Sequence, residues 1–274
     1  MYINTTGLVL RETAYKDSSK ILTILTGGEG KLTVSARGAL RKNSKLTATT
    51  QLLAFSEMTL YCARDRWTLT EARSVEQFIG LREDIALLAL GAYFAELTEA
   101  VADEDSPNPG LLTLCLNALF ALSEKIKTPE YVKPAFELRL MAISGFSPLI
   151  GHCAMCGREQ PNSALLDFDG GTIVCSDCRP MQGESHPYGE RRALTGSGAG
   201  GAVHETGATG GSVLGKGALN AARYIINCDP KKLFSFTLGA AALRELSAAA
   251  EGYLLAHLER NFRTLDYYKG ITLA

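Results

Sequence analysis

Lys31-Leu-Thr-Val-Ser-Ala-Arg37 alternates without a break, with Leu32, Val34 and Ala36 on one side and Lys31, Thr33, Ser35 and Arg37 on the other. A period of two predicts a strand with one buried and one wet face. Working outward, Thr59–Cys62 and Arg66–Thr70 show the same habit, and Ile3–Arg11 and Lys20–Thr26 supply two more strands. Gly27-Gly28-Glu29-Gly30 is a turn signal leading into Lys31, and Ala63-Arg64-Asp65 is a short polar break between the last two strands. Five short strands in about 75 residues predict a small barrel or sandwich. The connection from Gly38 to Gln51 is polar and basic, so it is expected to be exposed.

Beyond residue 80 the period becomes helical. Leu87, Leu90, Phe94, Leu97 and Val101 form one apolar stripe. Asp103–Gly110, with two prolines, separates it from a second helix carrying Leu112, Cys115, Leu119 and Leu122. Pro134 suits the first turn of a third helix through Ile143, which Gly145 is placed to end. Leu243, Leu246, Ala250, Tyr253 and Leu254 mark a long final helix running towards Phe262. These stripes are core and carry no functional weight.

Composition bounds the class. With 274 residues, 46% of them hydrophobic and 21% charged, the chain has the make-up of a folded protein of roughly two domains at about 150 residues each. The longest apolar run, Ile85–Ala95, has 11 residues, against the roughly 20 needed to span a bilayer. The opening MYINTTGLVLRE has no basic segment followed by a continuous apolar one, so no secretory signal is expected. The overall charge of -1 hides an asymmetry: residues 1–82 hold 12 Lys/Arg against 7 Asp/Glu, a net of +5, and the rest of the chain is net acidic. Such a split marks either an ordinary surface or a face for polyanions.

Cys153-Ala-Met-Cys156 and Cys175-Ser-Asp-Cys178 form two C-x2-C pairs separated by 18 residues. Tetrahedral zinc takes four thiolates, and a two-residue gap turns both sulfurs of a knuckle onto one ion. Gly157 provides a tight turn, and Gly170-Gly171 can turn a hairpin packed by Leu165, Leu166, Phe168, Ile173 and Val174. Disulfides are disfavoured without secretion, and a redox pair needs no matched second pair. One structural Zn2+ per chain is therefore expected at Cys153, Cys156, Cys175 and Cys178. His152 abuts the site as a possible competitor, and Cys62, Cys115 and Cys228 are expected as buried thiols.

Nine of the 22 residues in 196–217 are glycine, which reads as a mobile or irregular loop. Within it, Gly210-Gly-Ser-Val-Leu-Gly-Lys-Gly217 matches G-x4-G-K but has Gly217 where a nucleotide-binding loop needs Ser or Thr to hold magnesium. Gly196-Ser-Gly-Ala-Gly-Gly201 matches G-x-G-x-x-G with no strand before it. Both are expected by chance in such a tract. None of His152, His186, His204 or His257 lies in a catalytic context.

The parts together resemble the RecO family of bacterial recombination and repair mediators. The resemblance is carried by Phe136-Glu-Leu-Arg-Leu140, Gly145-Phe-Ser-Pro148, the four cysteines with Gly157 and Gly170-Gly171, Gly7-Leu-Val-Leu-Arg11, Asp17, Gly30, Ala36-Arg37-Gly38 and Tyr253–Arg260. It implies an α+β multidomain protein: an N-terminal OB-fold β-barrel for DNA binding over 1–80, then an α-helical domain over 81–274 with a four-cysteine zinc knuckle inserted at about 150–180. It also implies a mediator rather than an enzyme. Such a protein binds single- and double-stranded DNA, anneals complementary strands, and works in the bacterial cytoplasm at the nucleoid. Its implied partners are RecR, single-stranded DNA-binding protein and, indirectly, RecA, with no membrane. OB-folds bind single strands through basic grooves with stacking aromatics, so Lys31, Arg37, Arg41, Lys42, Lys45, Arg64 and Arg66 are the expected DNA contacts. Arg41, Lys42 and Lys45 are expected to be solvent-facing and mobile. Phe55, Tyr61 and Trp67 interleave with the basic residues, Trp67 either there or in the barrel core. Two rival readings are a zinc-stabilised nucleic-acid enzyme and an interaction scaffold that does not bind DNA.

Overall fold

β1 (Tyr2–Tyr15) serves two neighbours in the computed structural model, which describes residues 1–104, 106–179 and 210–272. Its first half pairs antiparallel with β4 (Phe55–Ala63), from Tyr2↔Tyr61 to Leu8↔Phe55, and its second half with β2 (Ser19–Thr26). β2 continues to β3 (Gly30–Ala36), β3 lies parallel to β5 (Arg66–Glu76), and β5 returns antiparallel to β4. The order β1-β2-β3-β5-β4 closes on itself, which leaves no barrel edge open to another chain. The alternation of the third strand places its apolar side inward: Leu32, Val34 and Ala36 are buried with Val9, Leu22, Ile24 and Leu60.

Two strands outrun their sequence signal. β4 starts at Phe55, where its pairing with Leu8 and Gly7 of β1 begins, and buried Ser56 takes an inward position that its polarity disguises in the sequence. β5 reaches Glu76 through exposed Arg73, Ser74 and Val75, held by backbone pairing with β4.

The connection after β3 is exposed at Leu40–Asn43, Lys45, Thr47 and Ala48, as expected, but buried residues anchor it at both ends. Ala39 lies in the barrel core, Leu46 packs against it, and Thr49 and Thr50 are buried. Turn hydrogen bonds run from Arg41 N–H to the Gly38 carbonyl and from Ser44 N–H to the Arg41 carbonyl. The Thr50 hydroxyl donates to the Leu46 carbonyl at 2.6 Å. Ala39 and Leu46 supply the apolar anchors, while Leu40 and the charged side chains face water.

Chain contacts divide the molecule into two compact units. The first comprises Met1–Ser147, Tyr224–Thr237 and Glu259–Ala274. In it the barrel is joined by α1 (Ile79–Arg82), α2 (Ile85–Val101), α3 (Pro109–Ser123) and α4 (Pro129–Ile143). Asp84 caps α2 by accepting from Ala86 N–H at 2.8 Å, and Asn108 caps α3 ahead of Pro109. The third helix starts five residues earlier than the sequence suggests, at Pro129; Pro134 is interior and costs the Glu130 carbonyl its helical donor. Phe94 stacks on Phe136 with ring centres 4.0 Å apart, and Phe262 meets Tyr93 edge-on at 6.0 Å. Beside them lies a buried ion pair, Lys133–Glu137 at 2.7 Å, whose carboxylate also accepts from the Tyr93 hydroxyl at 2.8 Å.

Gly80 fixes α1 on α3. A Cβ there would stand 2.1 Å from the Ser123 carbonyl oxygen, a backbone atom that cannot swing aside. Gly80→Ala should therefore destabilise the protein by about 1–3 kcal/mol, the usual cost of overpacking. Urea unfolding checks this; an unchanged midpoint would mean that the helices separate without penalty.

The second unit comprises Pro148–Arg223 and Leu238–Leu258. It holds a four-stranded sheet in the order β6-β8-β7-β9: β6 (Leu149–Cys153), β7 (Ser163–Asp167), β8 (Thr172–Cys175) and β9 (Gly211–Gly215). The β7–β8 hairpin turns at Gly170-Gly171, and Leu166, Phe168 and Ile173 are buried. α6 (Ala240–Leu258) packs on the sheet, with Tyr253 edge-on to Phe168 at 6.4 Å. The final stripe is thus one helix, as expected, but it stops at Leu258, short of Phe262. Glu259 takes a left-handed φ of 48° that ends α6, and α7 (Arg263–Thr272) follows in the first unit. No helix among the described residues is long and apolar enough to cross a membrane.

Candidate nucleic-acid interface and metal site

Strand register assembles the outer face of the barrel. β3 sets Ser35 against Thr68, β4 sets Tyr61 against Thr68, and β1 sets Tyr2 against Tyr61. One outward row therefore runs Tyr2, Tyr61, Thr68, Ser35. Arg66 lies two residues before Thr68 and Arg37 two after Ser35, about 7 Å to either side of the row. Arg37, Arg41, Lys42, Lys45, Arg64 and Arg66 are all exposed. Arg64 and Asp65 both have positive φ, 51° and 56°, the tight turn that suits a two-residue hairpin loop.

Lys31 is placed differently. Although it shares the outward side of β3 with Arg37, six residues put them about 20 Å apart. Its ammonium donates to the Glu99 carbonyl at 3.1 Å, on α2. Two further cations of the basic segment are neutralised: Arg11 pairs with Glu99 at 2.8 Å, and Lys20 pairs with Glu12. Phe55 stands at the far end of β4 from Tyr61, half-buried. Trp67 is partly buried and packs against the barrel core.

The structure adds residues that the sequence reading left out. Leu40 N–H donates to the Ser18 carbonyl at 3.0 Å and Gly38 N–H to Ser19 Oγ at 3.4 Å, so the basic connection starts beside the β1–β2 turn. That turn carries Tyr15, 46% exposed, with the Lys16 ammonium 5.2 Å from its ring centre. Closed five-stranded barrels commonly seat oligonucleotides between this turn and the β4–β5 turn. Only that topology could have flagged the two residues, since Tyr15-Lys16-Asp17 in sequence is an ordinary polar break.

The four predicted cysteines converge. The sulfurs of Cys153, Cys156, Cys175 and Cys178 all lie within 4.8 Å of one another, and Cys156 and Cys175 are 3.8 Å apart. A disulfide would need about 2.05 Å. Four sulfurs at about 2.3 Å from a tetrahedral ion would lie roughly 3.8 Å apart, so the spacing fits one metal ion. Each knuckle is a backbone turn: Gly157 N–H donates to the Cys153 carbonyl at 2.9 Å with φ 72° at the glycine, and Cys178 N–H donates to the Cys175 carbonyl at 3.1 Å. Arg158 beside one knuckle pairs with Asp177 inside the other. Mutual attraction raises the Arg158 guanidinium and lowers the Asp177 carboxyl.

Burial resists ionisation of Cys153, yet backbone N–H groups from Cys175, Cys156 and Met155 outweigh it and draw the thiol down to about 6. Cys178 is pushed up to about 12, first by its hydrogen bond with Cys156 and then by that with Cys175. Thiols packed this closely cannot all ionise without a cation among them. His152 is exposed and outside the cluster. Of the other cysteines, Cys115 is buried against the Thr98 hydroxyl, whereas Cys62 and Cys228 are only partly buried.

The glycine tract divides. Gly196–Gly201, His186 and His204 lie outside the described residues. Gly210–Gly217 is not the irregular loop expected: Gly211–Gly215 is β9, paired with β7 from Ser163↔Gly215 to Asp167↔Gly211, and Lys216 opens α5 (Lys216–Asn227). Gly215 N–H donates to a Glu245 carboxylate oxygen at 2.8 Å. A carboxylate thus occupies the helix start where a phosphate would have to bind.

A closed barrel of this strand order, ringed by exposed cations and followed by a helical region with a four-thiol module, defines an OB-fold protein with a possible metal site. Residues 1–78 match the family Recombination protein O N terminal, and residues 82–266 match Recombination protein O C terminal. The chain is 30% identical over 268 residues to DNA repair protein RecO of Acetivibrio thermocellus, covering 98% of this chain and 96% of that one. It is 28% identical over 272 residues to DNA repair protein RecO of Alkaliphilus metalliredigens, covering 99% and 100%. The chain belongs to the RecO family of DNA repair and recombination proteins.

Proposed function

We propose that this chain is a DNA-binding mediator of recombinational repair. In this reading it binds single- and double-stranded DNA, anneals complementary strands and, with RecR, helps load RecA onto single strands coated by single-stranded DNA-binding protein. The observation that carries the reading is the exposure of Arg37, Arg41, Lys42, Lys45, Arg64 and Arg66 around one closed OB barrel. Such side chains neutralise phosphates and release counterions without reading bases. Lys31 contributes at the opposite end of β3. Residues 1–80 form the DNA-binding part, and residues 81–274 form the helical domain that carries the metal module.

The four thiols are read as a structural Zn2+ site, held by Cys153, Cys156, Cys175 and Cys178. Bound there, the ion cross-links the two knuckles; four protein ligands close its coordination, so this reading gives it no reaction. The protein is a mediator rather than a catalyst, working in the bacterial cytoplasm at the nucleoid.

Strand annealing tests the proposal. Mixed with two labelled complementary oligonucleotides, the protein should accelerate duplex formation without ATP. No acceleration over DNA alone would contradict it, and a strict ATP requirement would favour an enzyme.

A further inference from the structure

We infer that Tyr2 and Tyr61 form a stacking platform for an unpaired base, and that this platform makes the barrel favour single-stranded over duplex DNA. The inference rests on the DNA-binding reading above and deepens it. The two rings are 4.7 Å apart centre to centre, on the outer surface of β1 and β4. Tyr2 is 67% exposed and Tyr61 37%. Two adjacent exposed rings offer an aromatic surface on which a base can stack.

Charge around the pair specifies the occupant. In the row Tyr2, Tyr61, Thr68, Ser35, the hydroxyl-bearing half lies between Arg66 and Arg37, one pleat away on opposite sides. A polyanion backbone crossing β5 and β3 would meet a guanidinium at each side. Further from the row the charge is mixed: Glu71 of β5 registers with Thr59, the next outward residue from Tyr61, and Arg73 of β5 registers with Glu57. A phosphate there would meet two carboxylates against one guanidinium. Arg66 and Arg37 thereby favour a backbone crossing β5 and β3 at this row, with its bases leaning towards the tyrosines. Only an unpaired base can present its face there, because duplex bases are already stacked.

Equilibrium binding of the full-length protein to oligothymidylate and to a mixed-sequence duplex of equal length tests this. Tyr2→Ala and Tyr61→Ala should each weaken oligothymidylate binding by about 5- to 100-fold, the range for one lost base–aromatic stack. Duplex binding should stay within about twofold, because phosphate contacts persist. Tyr2→Phe and Tyr61→Phe should keep the platform. The wild-type protein supplies a control free of folding effects: it should bind an abasic strand as weakly as the alanine variants bind oligothymidylate. Equal wild-type affinity for abasic and thymidylate strands would overturn the platform, as would equal losses on single strand and duplex. Failure of the wild-type protein to bind any DNA would instead overturn the DNA-binding reading itself.

Discussion

Cys175→Ser should strip the metal and unfold the second unit. The residue is fully buried at the centre of the cluster, and its own N–H donates to Cys153 Sγ at 3.3 Å. A serine hydroxyl does not replace a thiolate as a soft ligand. Structural zinc sites supply on the order of 10 kcal/mol of apparent folding free energy at neutral pH, an amount that a small sheet on one helix has little means to replace. Elemental analysis should fall from about one zinc per chain to near none. Limited proteolysis should then cut within residues 148–223 while the barrel survives, since the two units are separately compact. Prolonged chelation of the wild-type protein should give the same pattern. Metal-replete wild-type protein without zinc, or a variant that keeps it, would contradict this account.

The combined variant Arg41→Ala, Lys42→Ala, Lys45→Ala should weaken DNA binding similarly across sequences. All three side chains are exposed on a connection whose backbone is anchored by Ala39, Leu46 and Thr50, so their removal leaves the barrel intact. The plot of log K against log salt for single strands should flatten by about 2 units, at roughly 0.7 per lost phosphate contact. Unchanged slope and affinity would rule the connection out and move attention to Arg64, Arg66 and Arg73.

Legibility followed the range of the signal. The four thiols were readable because both knuckles are local, two residues wide. β3 was readable because its alternation needs no partner to be seen. β9 was not: Gly211-Ser-Val-Leu-Gly215 has only two strand-forming side chains, and its state comes from pairing with β7, some fifty residues away in sequence. Pro134 misled because a proline more often opens a helix than sits inside one, while Pro129 opens this one. Glu259 gives no sequence sign of the left-handed turn that ends α6 before Phe262. On the barrel surface, composition identified the cations but could not place them. Lys31 and Arg37 look equivalent along the strand, yet one is held against α2 and the other faces water. Tyr2 was invisible as a site residue because its partnership with Tyr61 exists only once β1 and β4 are in register.

On the proposed function, the basic face of the OB barrel binds nucleic acid through phosphates. The most direct measurement of this is a titration of the wild-type protein with oligothymidylate at several salt concentrations. The exposed Arg37, Arg41, Lys42, Lys45, Arg64 and Arg66 predict measurable binding whose log K falls with log salt at a slope of about -4 if all six engage. Absence of binding, or binding that salt leaves unchanged, would contradict it.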